Sequence, residues 1–487
     1  MNRAFADVAR VATQRHRSIA AALTCVTVAS VAVVLTRSVP VGWDESVYIG
    51  IAKYLYSGGK EGLFESIRPP VLPLLIGAAW RLGVDAIGAG RAIAVIATTG
   101  AVIATLRVAR LAEISELATA FLALALATPF VEAWSAGMLT HSLAVMLSML
   151  AVHDSLSEKP FRAGLFVGLA FTTRFSFGLV VAVVFVSLLV HGERRARRVV
   201  LAAAGALLPI VGLCAYNLLT GTAQGAPGGL LSRAIDPLLE AIAHQADVQE
   251  TPLGAGGDLL FYTKVLFACG VAPALAVFAP LPRVMARAKP AARMVAGAFA
   301  ALFAYYSLIP NKQDRYALDF LFFAVVTAAA VASAAGEFAR RWAPRAALFG
   351  LSCLALAALA ATGILAVSGR SAVRERVARA LDVAPPVEGY ARFFAGREHS
   401  KVLTSYPGFA LYSRSLFVPI YGPERRPLAI LEANRDADFV VYDAAEHLCI
   451  ETSCKEDLAQ FEERLRTYPV ERTFAVEGRS IRIHRLR

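Results

Sequence analysis

Between residues 18 and 367 the chain is a succession of apolar runs, and that leaves few folds open. Residues 18–36, 90–106, 116–133, 138–153, 175–190, 199–219, 262–280, 294–310, 316–335 and 346–367 each approach the length of ~20 residues that a helix needs to cross hydrocarbon. A segment in lipid must satisfy its own backbone polar groups, so these runs are expected as helices. Residues 163–173 are shorter and are expected to close a hairpin with 175–190. Residues 70–83 are shorter still, and their length alone leaves open whether they span. The expectation is a polytopic α-helical membrane protein with about 11–13 transmembrane helices. Composition agrees: 57% of residues are apolar, 18% are charged and the mean hydropathy is +0.56. A soluble protein sits nearer 45–50% apolar and ~25% charged. The net charge of +12 does not indicate nucleic acid, because the arginines cluster between apolar runs and no aromatic-rich basic surface is evident.

Those basic clusters orient the runs. ERRARR at 193–198, the arginines of 283–293 and RRWAPR at 340–345 are the strongest basic loops, and cytoplasmic loops carry such an excess. Residues 1–17, with Arg3, Arg10, Arg15 and Arg17, then form a basic cytoplasmic N-terminus. Residues 18–36 could be a secretory signal, but they are nearly long enough to span and no small-residue cleavage site precedes Asp44, so an uncleaved first helix is expected. The transmembrane domain is read as 18–369, with a first external loop at 37–69. This parity holds only if 70–83 does not fully cross or crosses with a partner. The expected location is the plasma (inner) membrane, with the C-terminal domain extracytoplasmic.

Residues 370–487 differ in composition. KVLTS (401–405), LFVPIY (416–421), ADFVVYD (437–443) and SIRIHRL (480–486) read as strands, and 456–467 as a helix between the last two. Strands alternating with a helix predict a small C-terminal α/β soluble domain. Cys449 and Cys454 are close enough in sequence for a disulfide on an oxidising side, though so short a loop strains the bridge. Cysteines inside apolar runs read as packing residues. No metal-ligand spacing, nucleotide-binding glycine motif or internal repeat is evident.

The chemistry concentrates in the first loop. Asp44 and Glu45 open an amphipathic segment whose apolar positions, Val47, Ile51, Tyr54 and Leu55, recur at helical spacing. Charges beside a bilayer are costly unless they serve a function. Asp44 has two readings: a helix N-cap accepting backbone N–H groups, or a general base for an incoming hydroxyl or amine. Glu45 is read as solvated or supporting, with a divalent cation as the alternative. Arg68 precedes Pro69 and Pro70 where the chain turns apolar again. Arg68, Arg174 and Arg315 all fall at expected outer helix ends. A guanidinium grips phosphate by two points, whereas the plain alternative is an anchor that snorkels to headgroups. His141 reads as an acceptor contact or, more simply, a structural polar contact. Asp319 lies at helical spacing from Arg315 and is expected to pair with it. Lys312 and Asp314 read as loop charges. Trp43, Tyr48 and Tyr54 could stack on sugar or isoprenoid, or form an interfacial aromatic belt.

DESVYIGIAKYL, a glycine-rich turn and RPPVLPLLIG together resemble the first external loop of the GT-C glycosyltransferase superfamily, in the branch of protein mannosyltransferases and aminoarabinose transferases. The resemblance implies a polytopic enzyme that takes a sugar from a polyprenyl-phosphate carrier and passes it to a lipid, glycan or protein acceptor on the outer face. It implies Asp44 as base and Arg68 at the carrier phosphate. CAYNLLTG (214–221) resembles the family's helix end before an external loop. NKQDRYALDF (311–320) resembles its late segment, which implies Arg315 and Tyr316 near the phosphate. ADFVVYD resembles strands of its appended soluble domains. Tyr48, Tyr316, His141 and Glu132 become candidates for acceptor or sugar contacts. One departure concerns metal: where many members carry a second external acid, this chain has His141, and the nearest acid is Glu132. The metal-assisted role that some members give a second carboxylate is therefore not implied for this chain, and the cofactor reading stays open between none and a divalent cation. The expected reaction is a single inverting displacement with oxocarbenium character. A multi-span transporter or flippase of a lipid-linked or anionic substrate is the rival, and a non-catalytic scaffold a second. Transporters tend to show paired Gly/Pro-broken segments and mid-membrane ionisable groups, and neither is clear here.

Overall fold

A computed structural model of the chain describes residues 41–115, 118–119, 122, 126, 137–191, 194–223, 229–247, 258–268, 271, 288–342, 393–421, 426–443, 452–476 and 479–487. The helices are α1 (Trp43–Tyr56), α2 (Val71–Arg81), α3 (Ala86–Leu111), α4 (Thr140–Leu156), α5 (Pro160–Thr173), α6 (Gly178–Val190), α7 (Arg195–Ala223), α8 (Leu230–Asp247), α9 (Phe261–Ala268), α10 (Pro290–Leu308), α11 (Ala317–Trp342), α12 (Pro427–Ala433) and α13 (Thr452–Leu465). The strands are β1 (Gly62–Leu63), β2 (Lys401–Thr404), β3 (Leu416–Pro419), β4 (Phe439–Asp443), β5 (Val470–Val476) and β6 (Arg479–Arg485). The runs expected at 18–36 and 346–367, most of 116–133, Glu132 and Cys449 lie outside the described residues, as does the Cys454 side chain.

The chain divides into two compact units: Met1–Arg37 with Ala94–Val377, and Ser38–Ile93 with Ala378–Arg487. The sequence reading counts residues 37–69 with the transmembrane domain; by contacts residues 41–69 fall with the C-terminal domain. The reason is a strand too short to see in sequence. Gly62 and Leu63 add β1 in parallel to β3, opposite Leu416 and Phe417. Among the described residues the sheet runs β1-β3-β2-β4-β6-β5, with β1, β3, β2 and β4 parallel and β6 and β5 antiparallel. β4 is central and buried along its whole length, which is why FVVY, before Asp443, reads as an unbroken apolar run. Phe461 and Leu465, one helical turn apart on α13, close the core with Leu403, Val440 and Ile420. The expected strands and helix all form. β5 was not foreseen either: among the described residues it is an edge strand, exposed from Val470 to Thr473 and bearing Glu471 and Arg472, and charges on an edge discourage aggregation.

In the same unit α1 packs on β1 through two glycines. Gly62 adopts φ +86, and a Cβ there would meet the Gly50 carbonyl oxygen at 2.2 Å. Only a residue without Cβ fits both constraints. α2 is apolar but has 11 residues, about 16 Å of helix, so it does not reach across the ~30 Å hydrocarbon layer.

The other unit is helical. Among the described residues, Ala86–Leu111, Arg195–Thr220 and Pro290–Leu308 are long and apolar enough to cross a membrane, and Phe175–Val190 is a shorter apolar helix. The hairpin expected from 163–173 forms as α5, a short 3-10 turn at Phe175–Phe177, and α6. Small residues set the closest approach in this unit. A Cβ on Gly164 of α5 would lie 1.9 Å from the Ala202 carbonyl oxygen of α7, and one on Gly205 of α7 would lie 2.1 Å from that of Phe161. Hydrophobic burial does not drive helices together in lipid, so close backbone packing must. The first half of α11 is buried on every side, from Ala317 to Val331, as expected of a helix apolar all round.

Candidate active site

Helix α1 does not start as the plain reading of Asp44 requires. Gly42 is the N-cap, and Glu45 accepts the Gly42 backbone N–H at 2.6 Å, while Ser46 Oγ donates to the Gly42 carbonyl at 2.8 Å. Glu45 is 5% exposed; its carboxylate faces its own chain rather than solvent. Capping by Glu45 leaves Asp44 in the first turn with its carboxylate turned elsewhere, where the helix N-terminus favours negative charge.

Asp44 meets Arg68. The Nη1 of Arg68 lies 2.9 Å from Asp44 Oδ1, and its Nε donates to Glu65 Oε2 at 2.9 Å. The Asp44 side chain is 14% exposed and that of Arg68 22%. Glu65 is buried, and its Oε1 accepts the hydroxyl proton of Tyr421 at 2.6 Å. Burial opposes the Arg68 charge, but Asp44 and Glu65 outweigh it and hold the guanidinium more firmly protonated than usual. One cation thus serves two carboxylates. Trp43 stands edge-on to Tyr406 and Tyr421, at 5.1 and 4.7 Å between ring centres. Tyr48 is buried on α1.

Lys53, in the last turn of the same helix, is also buried and donates to the carbonyls of Ala410, at 3.3 Å, and Leu411. Burial brings its pKa down to about 8 against the upward pull of Glu61 and Asp85.

The helical unit holds a second polar cluster. Asp319, in the first turn of α11, is fully buried. His141 Nδ1 donates to its Oδ1 at 2.8 Å, Arg174 Nε donates to its Oδ2 at 2.5 Å, and the Tyr306 hydroxyl also donates to Oδ2. Arg174 reaches the Tyr306 hydroxyl as well, at 3.2 Å. The pairing expected between Asp319 and Arg315 is therefore corrected: Asp319 serves residues from α4, α10 and the α5–α6 turn. A buried carboxylate takes the donors that burial brings to it, and helical spacing alone gives only weak preference. Arg174 and Arg315 stack over the ring of Tyr316, with Cζ 5.2 and 5.7 Å from its centre. Tyr316 lies 6.2 Å from the His141 ring, centre to centre.

Lys312 corrects a further reading. It is wholly buried, not a loop charge, and its ammonium donates to the carbonyls of Tyr306, Ser307 and Ile309 at 2.6–2.8 Å. Those are carbonyls that the end of α10 leaves without helical partners, and a cation suits that end.

The site residues read from sequence thus gather in two places. Asp44, Glu45, Tyr48 and Arg68 share one unit; His141, Arg174, Arg315 and Tyr316 share the other. Glu65, Asp319, Tyr306 and Tyr421 were not anticipated as members. Asp319 carried a signal, an acid opening an otherwise apolar run, and so did Glu65, three residues before Arg68. Tyr421 carried none. Among the described residues no three His, Cys, Asp or Glu side chains converge as a metal-binding group.

No family model and no curated protein matches the sequence. Solved structures do. The chain is similar to the crystal structure of ArnT from Cupriavidus metallidurans bound to undecaprenyl phosphate, at 14% identity, TM-score 0.62, over 97% of this chain and 98% of that one. It is similar to the same protein in the apo state at 14% identity and TM-score 0.58, with the same coverage. The fold is thus the ArnT-like fold of an integral membrane protein, along essentially the whole chain.

Proposed function

We propose that the protein is a glycosyltransferase that moves a sugar from a polyprenyl-phosphate donor to an acceptor at the outer face of the membrane. The observation that carries this reading is the Arg68–Asp44 ion pair, in a fold shared end to end with a protein that holds undecaprenyl phosphate. Asp44 is the base and Arg68 the grip on the donor phosphate.

The charges give the order of events. Asp44 takes a proton from the acceptor hydroxyl or amine, whose freed electron pair attacks the anomeric carbon. The bond from that carbon to the phosphate oxygen breaks, and the phosphate leaves with the electron pair. A protonated Asp44 no longer neutralises Arg68, so Nη1 is released as negative charge grows on the phosphate. Positive groups aimed at developing charge are the largest catalytic terms in partly dry sites. Attack opposite the leaving group inverts the anomeric centre. Arg174 and Arg315, gathered on Tyr316, are further candidates for phosphate contact, and His141 and Tyr48 for acceptor or sugar contact. Glu45 keeps a supporting role through the start of α1. The proposed sidedness puts the N-terminus in the cytoplasm and residues 37–69 and 370–487 outside the plasma membrane.

The deciding experiment is transfer in membranes from a panel of radiolabelled polyprenyl-phosphate sugars, read against Asp44→Asn. Label transfer lost in the variant supports the reading. No transfer from any donor overturns it and favours a flippase.

A further inference from the structure

The C-terminal domain reaches the Asp44 pair through the side chain of Tyr421. Tyr421 follows β3, 356 residues away from Glu65 in sequence, and its hydroxyl donates to Glu65 Oε1 at 2.6 Å. The other oxygen of that carboxylate holds Arg68 Nε, and Arg68 Nη1 holds Asp44. All four groups belong to one compact unit. A carboxylate on a short loop has rotational freedom; Tyr421 removes it by occupying the oxygen that Arg68 does not use. Trp43, the residue before Asp44, packs edge-on to the same Tyr421 ring, so a single tyrosine fixes both ends of the chain of contacts. The groups that act on the Arg68 charge are Asp44 and Tyr48 from α1 and Glu65 from the loop after β1; Tyr421 is the C-terminal contribution.

We propose that Tyr421 is a positioning residue for the proposed transferase site: by fixing Glu65 it sets Arg68 on Asp44, so the C-terminal domain is part of the site rather than an appendage. This rests on the reading of Arg68 as the phosphate grip. Without the Tyr421 hydroxyl, Glu65 is a stronger and freer acceptor and draws the guanidinium off its working position. The proposal therefore predicts an effect of Tyr421 that exists only while Arg68 does.

The test uses the full-length protein in lipid nanodiscs and undecaprenyl phosphate as probe, with thermal unfolding measured alongside. Tyr421→Phe should weaken probe binding about ten-fold, equivalent to about 1.4 kcal/mol. Arg68→Lys should weaken it as well, and adding Tyr421→Phe to Arg68→Lys should change it by less than two-fold, the signature of groups that act as one. A purely structural Tyr421 would lower the unfolding temperature and leave probe affinity intact, or would weaken binding equally in both backgrounds; either result overturns the proposal. If Arg68→Lys binds as the wild type does, the reading of Arg68 itself has failed, and the positioning role falls with it. Retained binding in Tyr421→Phe with binding lost in Arg68→Lys sinks the positioning role alone.

Discussion

Arg68 pairs with Asp44 and with Glu65, and that sharing decides what substitution at Asp44 does. Asp44→Asn keeps shape and removes the base. Turnover should fall by about 10²–10⁴-fold, the usual worth of a positioned base, while undecaprenyl-phosphate affinity stays within a few-fold because Arg68 keeps Glu65. Transfer assays and binding on one preparation check both halves. Asp319→Asn tests the second cluster. It leaves Arg174 buried without its counter-charge, which costs about 3–5 kcal/mol, visible as an early chemical unfolding midpoint. Arg174→Met in that background should recover part of the loss. Lys53 gives a pH dependence. Its folded pKa of about 8 lies below the ordinary 10.5, so between those values the unfolded chain binds a proton that the folded protein does not. Stability should therefore rise from about pH 8 to about pH 10.5, at up to ~1.4 kcal/mol per unit. The difference between wild type and Lys53→Met, followed by urea unfolding from pH 7 to 10, isolates this slope; a flat difference would refute it.

Helices α5 and α7 approach each other closely at Gly164 and Gly205, where an added Cβ would meet the facing backbone. Gly205→Val should push the helices apart and cut stability by about 1–3 kcal/mol, the cost of overpacking, with a lowered thermal midpoint in detergent. An unchanged midpoint would mean that the crossing gives way cheaply. These helices were legible in sequence because lipid permits no other use of a long apolar run. Their boundaries were less so. The expected run 316–335 covers the first part of α11, buried as far as Val331, but the helix continues to Trp342, since nothing in hydropathy ends a helix where it leaves the bilayer. The sheet was legible by the same logic where strands are buried, as in β4, and illegible at its edges. β5 is exposed from Val470 to Thr473 and mixes charged with apolar residues, and β1 has only two residues, below any periodicity.

At the scale of the whole chain, the first loop and the C-terminal domain are one folding unit joined by β1–β3 pairing, the Lys53 ammonium and the Glu65–Tyr421 bond. Removing residues 393–487 should therefore loosen residues 57–69 although they lie far away in sequence. Limited proteolysis should cut there in the truncated protein and spare it in the full chain; equal protection in both would contradict the unit.

The amino-acid order by itself determined the membrane-spanning character, the strand-and-helix pattern of the C-terminal residues and the concentration of charge beside α1, because each is a local matter of hydropathy, period and spacing. Only the tertiary structure decided who holds whom. Glu45 caps its own helix, Arg68 lies between Asp44 and Glu65, Asp319 gathers His141, Arg174 and Tyr306, and Tyr421 joins the first loop. Buried charges take whichever partners packing delivers, and packing brings together residues that no spacing rule relates.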